Sequence, residues 1–346
     1  MKGRLLYLNL AIDSRDTSLG FAIGWIKEVS KIYDEIDVIT LRKGTIPNLP
    51  ANVNIYGPNS HKNKLKKYFY LHKTAKNLIN TYKYEKCFSH MSPISLFVLV
   101  SQLKRKKIET ILWFTHPGPD FGIKKLILFI TTKMTKNVIT ASSTSFPFMS
   151  KKVSIIGHAI DLSLFKNQKN NHQFKKFLIL SRISRSKNLE ISIDAFLSSD
   201  FKSENLDIVG GPLNQKDVRY QSYLKEKYKV YSNVKFIGKV PHEKLPSFIK
   251  NYDVNFNSAG RGFFDKSVLE TLSAGLINFY HNQDFDSLYL HHSKKYYFTQ
   301  KEDLTEKINN LKFLNDNDLK ELFVILNTNL KEHSLDTLGD RLSKFI

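Results

Sequence analysis

Two cations five residues apart, Arg182 and Lys187 in the stretch SRISRSKN, are the first candidates for chemistry in this chain. On a loop at the C-terminal edge of a parallel sheet, where the crevice of such a sheet opens, they would clamp a diphosphate. They would also neutralise the charge that builds on it as a bond to it breaks. The second group of candidates lies in DVNFNSAGRGFFDKSVLETLSAGLINFY, residues 253–280. The pattern there reads strand, glycine-bearing loop, helix, strand. Asp265 stands at the N-cap position ahead of the apolar Val268, Leu269 and Leu272, and Gly275 stops the helix. The amides of residues 265–267 then leave a helix N-terminus in a way that suits a phosphate, with Asp265, Lys266 and Ser267 as the side chains presented beside it. Glu270, about one turn in, puts a carboxylate within reach of a ribose.

The elements that must hold these residues follow from periodicity. In the first half, residues 4–10 read as a buried strand, and the loop over 11–20 ends in Gly20, where a strand-to-helix turn would open onto the ligand crevice. A helix over 21–30 follows, then strands over 37–40, 53–56, 86–90, 110–115, 137–140 and 152–156. The second half alternates more cleanly, with strands over 177–180, 206–209, 234–237, 254–257 and 276–280 and helices over 189–197, 216–228, 242–251 and 266–274. Gly210 and Gly211 follow the second of these strands; they permit a tight turn, line a nucleotide crevice, or do both. His116 follows the strand TILWFT and precedes Pro117-Gly118, on a loop facing the same crevice. The polar stretch KNQKNNHQ, 166–173, has the composition of a linker, so the expectation is an α/β protein of two doubly wound domains, residues 1–168 and 172–329.

Composition bounds the partners. The 346 residues carry a net charge of +21, of which residues 1–170 supply +17 and residues 171–346 only +4. A basic first half favours an anionic partner. The run at Lys62–Lys67 with Tyr68, Phe69 and Tyr70 behind it, and KRKK at 104–107, suit an anionic membrane surface, and no RNA-binding signature accompanies them. The longest apolar runs, 94–100 and 126–130, fall far short of the roughly 20 residues that span a bilayer. No signal peptide is read at the N-terminus, and the lone Cys87 fits a buried apolar filler in a reducing compartment. Asp284-Phe285-Asp286 has the spacing of a metal–diphosphate motif and His291-His292 lies beside it, but short acidic repeats arise by chance and no metal site is expected there.

The segment 253–280 resembles the donor-binding turn of the family 4 glycosyltransferases, E-G-F-G-x-x-x-L-E-A-x-A-x-G, in Phe264, Leu269, Glu270, Ala274 and Gly275. It departs at the first acid, where Gly262 stands, and at Asp265, where the family has Gly. Further similar segments occur in order: LGFAIGWIKEVS, VSIIGHAIDLSLF, LSRISRSKN, DIVGG and VKFIGKV. The resemblance implies the GT-B fold, two Rossmann-like domains facing each other across a cleft, with a C-terminal helix over 330–346 crossing back to the first domain. It implies that Arg182 and Lys187 bind the phosphates of a nucleotide-diphosphate sugar, that Glu270 holds the ribose and that His116 lies near the donor sugar. A retaining transfer without metal or other cofactor is expected, to a glycan or glycolipid at the cytoplasmic face of the inner membrane, in cell-surface polysaccharide or lipopolysaccharide synthesis. The alternatives are a nucleotide-sugar-binding protein inactive through Gly262, or a GT-B epimerase or phosphorylase.

Overall fold

The computed structural model describes residues 2–16, 19–58, 63–119, 121–166 and 172–346; Lys62 and the middle of the expected linker, 167–171, lie outside them. The chain divides into two compact units, one of residues 1–160 with 332–346, the other of residues 161–331.

In the first unit the strands are β1 (Lys2–Asn9), β2 (Tyr33–Thr40), β3 (Val53–Tyr56), β4 (Lys86–His90), β5 (Glu109–Trp113), β6 (Asn137–Thr140) and β7 (Val153–Ile155). They form a wholly parallel sheet in the order β3-β2-β1-β4-β5-β6-β7. Sheets of this kind are covered on both faces, so their strands are apolar on both sides; Leu5, Leu6, Tyr7 and Leu8 are all fully buried. The helices are α1 (Ala22–Ser30), α2 (Lys64–Thr81), α3 (Pro93–Arg105) and α4 (Ile123–Met134). α2, α3 and α4 cover one face through Leu71, Leu78, Leu96, Leu99, Leu103 and Leu128. Cys87 is buried in that core, and burial pushes its thiol well up from the ordinary range, as expected of a filler.

In the second unit α5 (Leu162–Phe165) precedes β8 (Lys176–Leu180), α6 (Leu189–Ser198), β9 (Asn205–Val209), α7 (Gln215–Lys227), β10 (Val234–Gly238), α8 (Leu245–Ile249), β11 (Val254–Asn257), α9 (Lys266–Ser273) and β12 (Ile277–Tyr280). Its parallel sheet runs β10-β9-β8-β11-β12. Short helices α10 (Asp286–Tyr289) and α11 (Ser293–Tyr296), then α12 (Lys301–Asn309) and α13 (Asp316–Leu330), complete the unit. The division falls at Ile160/Asp161, ahead of the expected 168/172 junction, because α5 already packs on α8 and α9. Phe165 is buried and Ser273 Oγ donates to the Leu162 carbonyl at 2.9 Å.

The last residues, with α14 (Leu338–Leu342), return to the first unit. Ile160 N–H donates to the His333 carbonyl and Leu335 N–H to the Ile160 carbonyl, at 2.9 and 2.8 Å. The Arg341 guanidinium donates to the carbonyls of Ile156 and His158, the latter at 2.7 Å. His158 is buried under this segment, its N–H donating to His333 Nδ1 at 3.1 Å and its ring against Trp113.

Candidate active site

Each doubly wound sheet exposes its loops at the C-terminal ends of its strands. In the second unit β8 and β11 are neighbours, so the loop carrying Arg182 and Lys187 and the loop leading to α9 emerge side by side. Glycines set the first loop. Gly210 has φ +138°, and a Cβ there would stand 1.9 Å from the Ser181 carbonyl oxygen, so no side chain fits. The close approach lets Ser181 N–H donate to the Val209 carbonyl (3.0 Å) and Ile183 N–H to that of Gly211 (3.2 Å). The backbones of Val209 and Gly211 thus seat that of Arg182, and the close approach requires glycine at 210. A Cβ on Gly211 would meet only the flexible Lys239 side chain.

The second loop is fixed from below by a buried amide network. Asn255 Oδ1 accepts from Leu180 N–H at 3.1 Å, and its Nδ2 donates to Asn278 Oδ1 at 2.6 Å. The Thr271 hydroxyl donates to the same Asn278 oxygen at 2.7 Å, which locks α9 to β11 and β12. Fully satisfied networks of this sort hold one arrangement against all others.

The sequence reading of Asp265 needs correction. It occupies the N-cap position of α9 with extended backbone, but its carboxylate makes no capping bond. Lys187 takes it instead: Nζ lies 2.5 and 2.7 Å from the two carboxylate oxygens, and Asn257 Nδ2 donates to one of them at 3.0 Å. The Lys187 side chain is only 8% exposed, its ammonium 4.4 Å from the centre of the Phe263 ring. A full positive charge held out of water outcompetes two backbone amides for a carboxylate. Lys266 and Ser267 are half-buried in the first turn of α9.

Glu270 lies about one turn into α9, as expected, and is 3% exposed. Its Oε1 is 3.6 Å from Nε2 of His242, whose ring meets Phe165 edge-on. The sequence reading missed His242 and Asn257. Asn257, a polar residue ending a buried strand, was a visible signal; its Oδ1 is buried without a hydrogen-bond partner among the described residues.

Arg182 is half-buried and reaches Ser184 Oγ at 3.4 Å and Ser186 Oγ at 3.5 Å. Beside it opens a pocket of about 620 Å³ with Arg185, Lys216, Arg219 and Tyr220 in its wall. Arg185 lies over the ring of Tyr220 at 5.0 Å. Lys187 and Glu270 are not part of this lining, so the basic field extends from Arg182 away from the Lys187–Asp265 pair.

In the first unit, His116 sits where β5 ends. Its N–H donates to the Ser145 carbonyl at 2.7 Å, and its Nδ1 accepts from Gly118 N–H at 3.0 Å. An accepting Nδ1 places the proton of the neutral ring on Nε2. Gly20 lies in the turn before α1, and a Cβ there would stand 2.7 Å from the Asp16 carbonyl oxygen, which accepts from the Gly20 N–H.

Asp286 Oδ1 accepts from the Tyr280 hydroxyl at 2.9 Å. His291 and His292 do meet a third group, Glu321 of α13, which no local pattern in the sequence pairs with them.

Residues 162–324 match the family described as Glycosyl transferases group 1. HepE of Anabaena, solved with UDP-glucose, is similar over 99% of this chain and 98% of its own, with a TM-score of 0.73 at 15% identity. WaaG, a glycosyltransferase involved in lipopolysaccharide biosynthesis, is similar over 99% of both chains, with a TM-score of 0.69 at 12% identity. One subunit of the phosphatidylinositol N-acetylglucosaminyltransferase of Arabidopsis thaliana is 25% identical over 128 residues, 36% of this chain and 28% of that one. Residues 162–324 thus match the group 1 glycosyltransferases, and the chain that carries them has the GT-B fold.

Proposed function

We propose that the chain is a retaining glycosyltransferase that moves a hexose or related sugar from a nucleotide-diphosphate sugar to a glycan or glycolipid acceptor in cell-surface polysaccharide synthesis. The observation that carries this reading is the meeting of the loops after β8 and β11, which brings Lys187 against the start of α9 with Arg182 on the same loop. In the reaction proposed, the bond from the anomeric carbon to the diphosphate oxygen breaks while the acceptor oxygen bonds to that carbon on the same face. The acceptor's proton passes to a phosphate oxygen of the leaving nucleotide diphosphate. Arg182, Lys187 and the amides at the start of α9 would meet the charge on that leaving group, a role that needs no metal. Glu270 would accept hydrogen bonds from the ribose hydroxyls, oriented by His242. His116 would lie near the donor sugar.

HepE was solved with UDP-glucose, which supports a uridine donor as the first to try. The test is a thermal-shift panel of UDP, GDP, ADP and their sugars on the full chain, then turnover with the nucleotide that binds, in buffer containing chelator. Release of the nucleotide diphosphate with transfer to an acceptor, and retention of configuration by NMR, are expected. Binding without any turnover would favour the second reading, a nucleotide-sugar-binding protein, which the neutralisation of Lys187 by Asp265 specifically supports.

The proposal extends to an anionic membrane surface at the cytoplasmic face. α2 exposes Leu65 and Phe69 among Lys64, Lys66 and Lys67, and α4 exposes Ile123, Leu126 and Phe129 beside Lys124, with Phe121 just ahead of it. Both helices pack on α3. Apolar side chains ringed by lysine suit the headgroup layer, and among the described residues no helix is long and apolar enough to cross a bilayer. Sedimentation with anionic vesicles but not neutral ones, reduced by salt and by Phe69→Glu with Leu126→Glu, is the expected result; equal binding to both vesicle types would refute it.

A further inference from the structure

The turn between α10 and α11 is built in an unusual way. Leu290 takes φ 51° and ψ −125°, a region that non-glycine residues rarely enter, and the two residues after it are both histidines. Their rings lie on one side of the turn, with centroids 4.1 Å apart. Facing them from α13 is Glu321, whose Oε1 is 3.4 Å from His292 Nε2 and 3.6 Å from His291 Nε2. The donor atoms of all three side chains lie within 4.8 Å of one another.

His292 supplies a second and independent observation. It is 8% exposed, and its Nε2 is buried with no hydrogen-bond partner among the described residues; the carboxylate oxygen at 3.4 Å is not aligned to accept from it. A buried ring nitrogen beside a carboxylate oxygen, with no shared hydrogen bond, is costly for a protein to maintain unless a positive charge can sit between them. A cation bound at about 2.0–2.1 Å from nitrogen and 2.0–2.2 Å from oxygen in tetrahedral geometry separates its ligand atoms by about 3.3–3.5 Å. Two of the three edges, at 3.4 and 3.6 Å, are already close to that length, and all three ligand atoms lie within 4.8 Å of one another. Two imidazoles and one carboxylate select a first-row transition dication over Mg²⁺ or Ca²⁺, which take oxygen ligands.

We propose that His291, His292 and Glu321 form a binding site for a first-row transition-metal dication of the Zn²⁺ type. The ion ties the strained turn at Leu290 to α13, with water in the open position. His291 and Glu321 have side chains 66% and 62% exposed, so the ion enters from solvent. The site is independent of the donor-binding reading: its ligands lie outside the loops after β8 and β11, and its test involves no sugar nucleotide.

The test uses the full chain freed of metal by chelator and titrated with Co²⁺, whose visible absorption reports tetrahedral coordination by nitrogen and oxygen. The expected result is one equivalent bound, displaced by Zn²⁺ and not by a hundredfold excess of Mg²⁺. Glu321→Ala should weaken the affinity at least about tenfold, as should His292→Gln, while His72→Ala, at an exposed position of α2, should leave it unchanged. Glu321 is exposed, so its replacement does not endanger folding even if that of His292 does. No saturable Co²⁺ spectrum in the wild-type chain, or an undiminished one in Glu321→Ala, would overturn the proposal.

Discussion

Replacing Asp265 by Asn is expected to tighten the binding of a nucleoside diphosphate while making the folded chain less stable. In the proposed function a phosphate oxygen must approach the Lys187 ammonium, which already has two carboxylate oxygens of Asp265 at 2.5 and 2.7 Å. A phosphate sharing that ammonium would stand about 5 Å from the carboxylate, two hydrogen-bond lengths meeting at an angle. At an effective dielectric of about 20 the repulsion between two unit charges at that distance is about 3 kcal/mol. The Asp265 side chain is 20% exposed, so screening reduces this to about 1–2 kcal/mol, a factor of roughly 5 to 30 in affinity. Asn keeps an acceptor for Lys187 and a similar volume but removes the charge. The opposite effect falls on the unliganded protein, where a Lys187 side chain 8% exposed loses its counter-ion, at a cost of roughly 1–3 kcal/mol. Calorimetric titration of wild type and Asp265→Asn with the nucleotide that binds best, alongside urea denaturation of both, reads the two effects separately. Unchanged or weaker nucleotide binding in Asp265→Asn would refute the reasoning, because the carboxylate would then be cooperating with the phosphate rather than competing with it.

Arg182→Ala should lower kcat/KM for transfer by more than tenfold, since it removes a charge-assisted contact to a group that gains charge in the transition state; wild-type kinetics would remove Arg182 from the site. Glu270→Gln should weaken nucleotide affinity by about tenfold with little change in stability, as the pair with His242 is a 3.6 Å contact, and equal nucleotide affinity would dismiss the ribose role. Gly210→Ala should destabilise the second unit by about 2 kcal/mol or more, seen as a lower Tm, because its Cβ would overlap the Ser181 carbonyl; an unshifted Tm would contradict that geometry. Burial, with His158 nearby, lowers the pKa of both His90 and His333 to about 3, against about 6.5 in the unfolded chain. Their contribution to stability is therefore complete above about pH 6.5 and is lost as pH falls toward 3, by up to about 1.4 kcal/mol per pH unit each. The chain has two tryptophans, Trp25 and Trp113, and both lie in the first unit, so urea midpoints by fluorescence at pH 7 and 5 follow that unit alone. His90→Phe should flatten the pH slope, and an unaltered slope would refute the assignment.

The sheets were legible in the sequence because strands covered on both faces are continuous apolar runs, and the candidate loops were legible because they follow from where such strands end. Tyr33 to Ile36 escaped, since Asp34 and Glu35 break the apolar run before the buried half of β2 begins. The pairings inside the site were not legible. Lys187 and Asp265 are far apart in the chain, and the local rule that assigns a carboxylate to an N-cap has no knowledge of an ammonium delivered from another loop. The same holds for His242 beside Glu270 and for Glu321 beside two histidines, which only tertiary packing brings within 4 Å. The left-handed backbone at Leu290 was invisible for a different reason: no residue type there announces it, as a glycine would.

The return of residues 332–346 to the first unit also sets an order for folding. Ile160 and Leu335 are joined by a backbone hydrogen bond across the whole of residues 161–331. Closing a loop of that length in an unfolded chain costs, in its length-dependent part alone, about 4.5 kcal/mol. Once the inserted unit is compact its ends are held, and much of that cost has been met before the last segment docks. The second unit should therefore gain protection first, with the first unit left unfinished until Arg341 reaches the Ile156 and His158 carbonyls. In pulse-labelling hydrogen exchange the amides of β8 and β11 are expected to become protected before those of Ile160 and Leu335; the reverse order would show that the first unit closes on its own. The final residues act on this account as a latch that can engage only after everything between its two halves has folded.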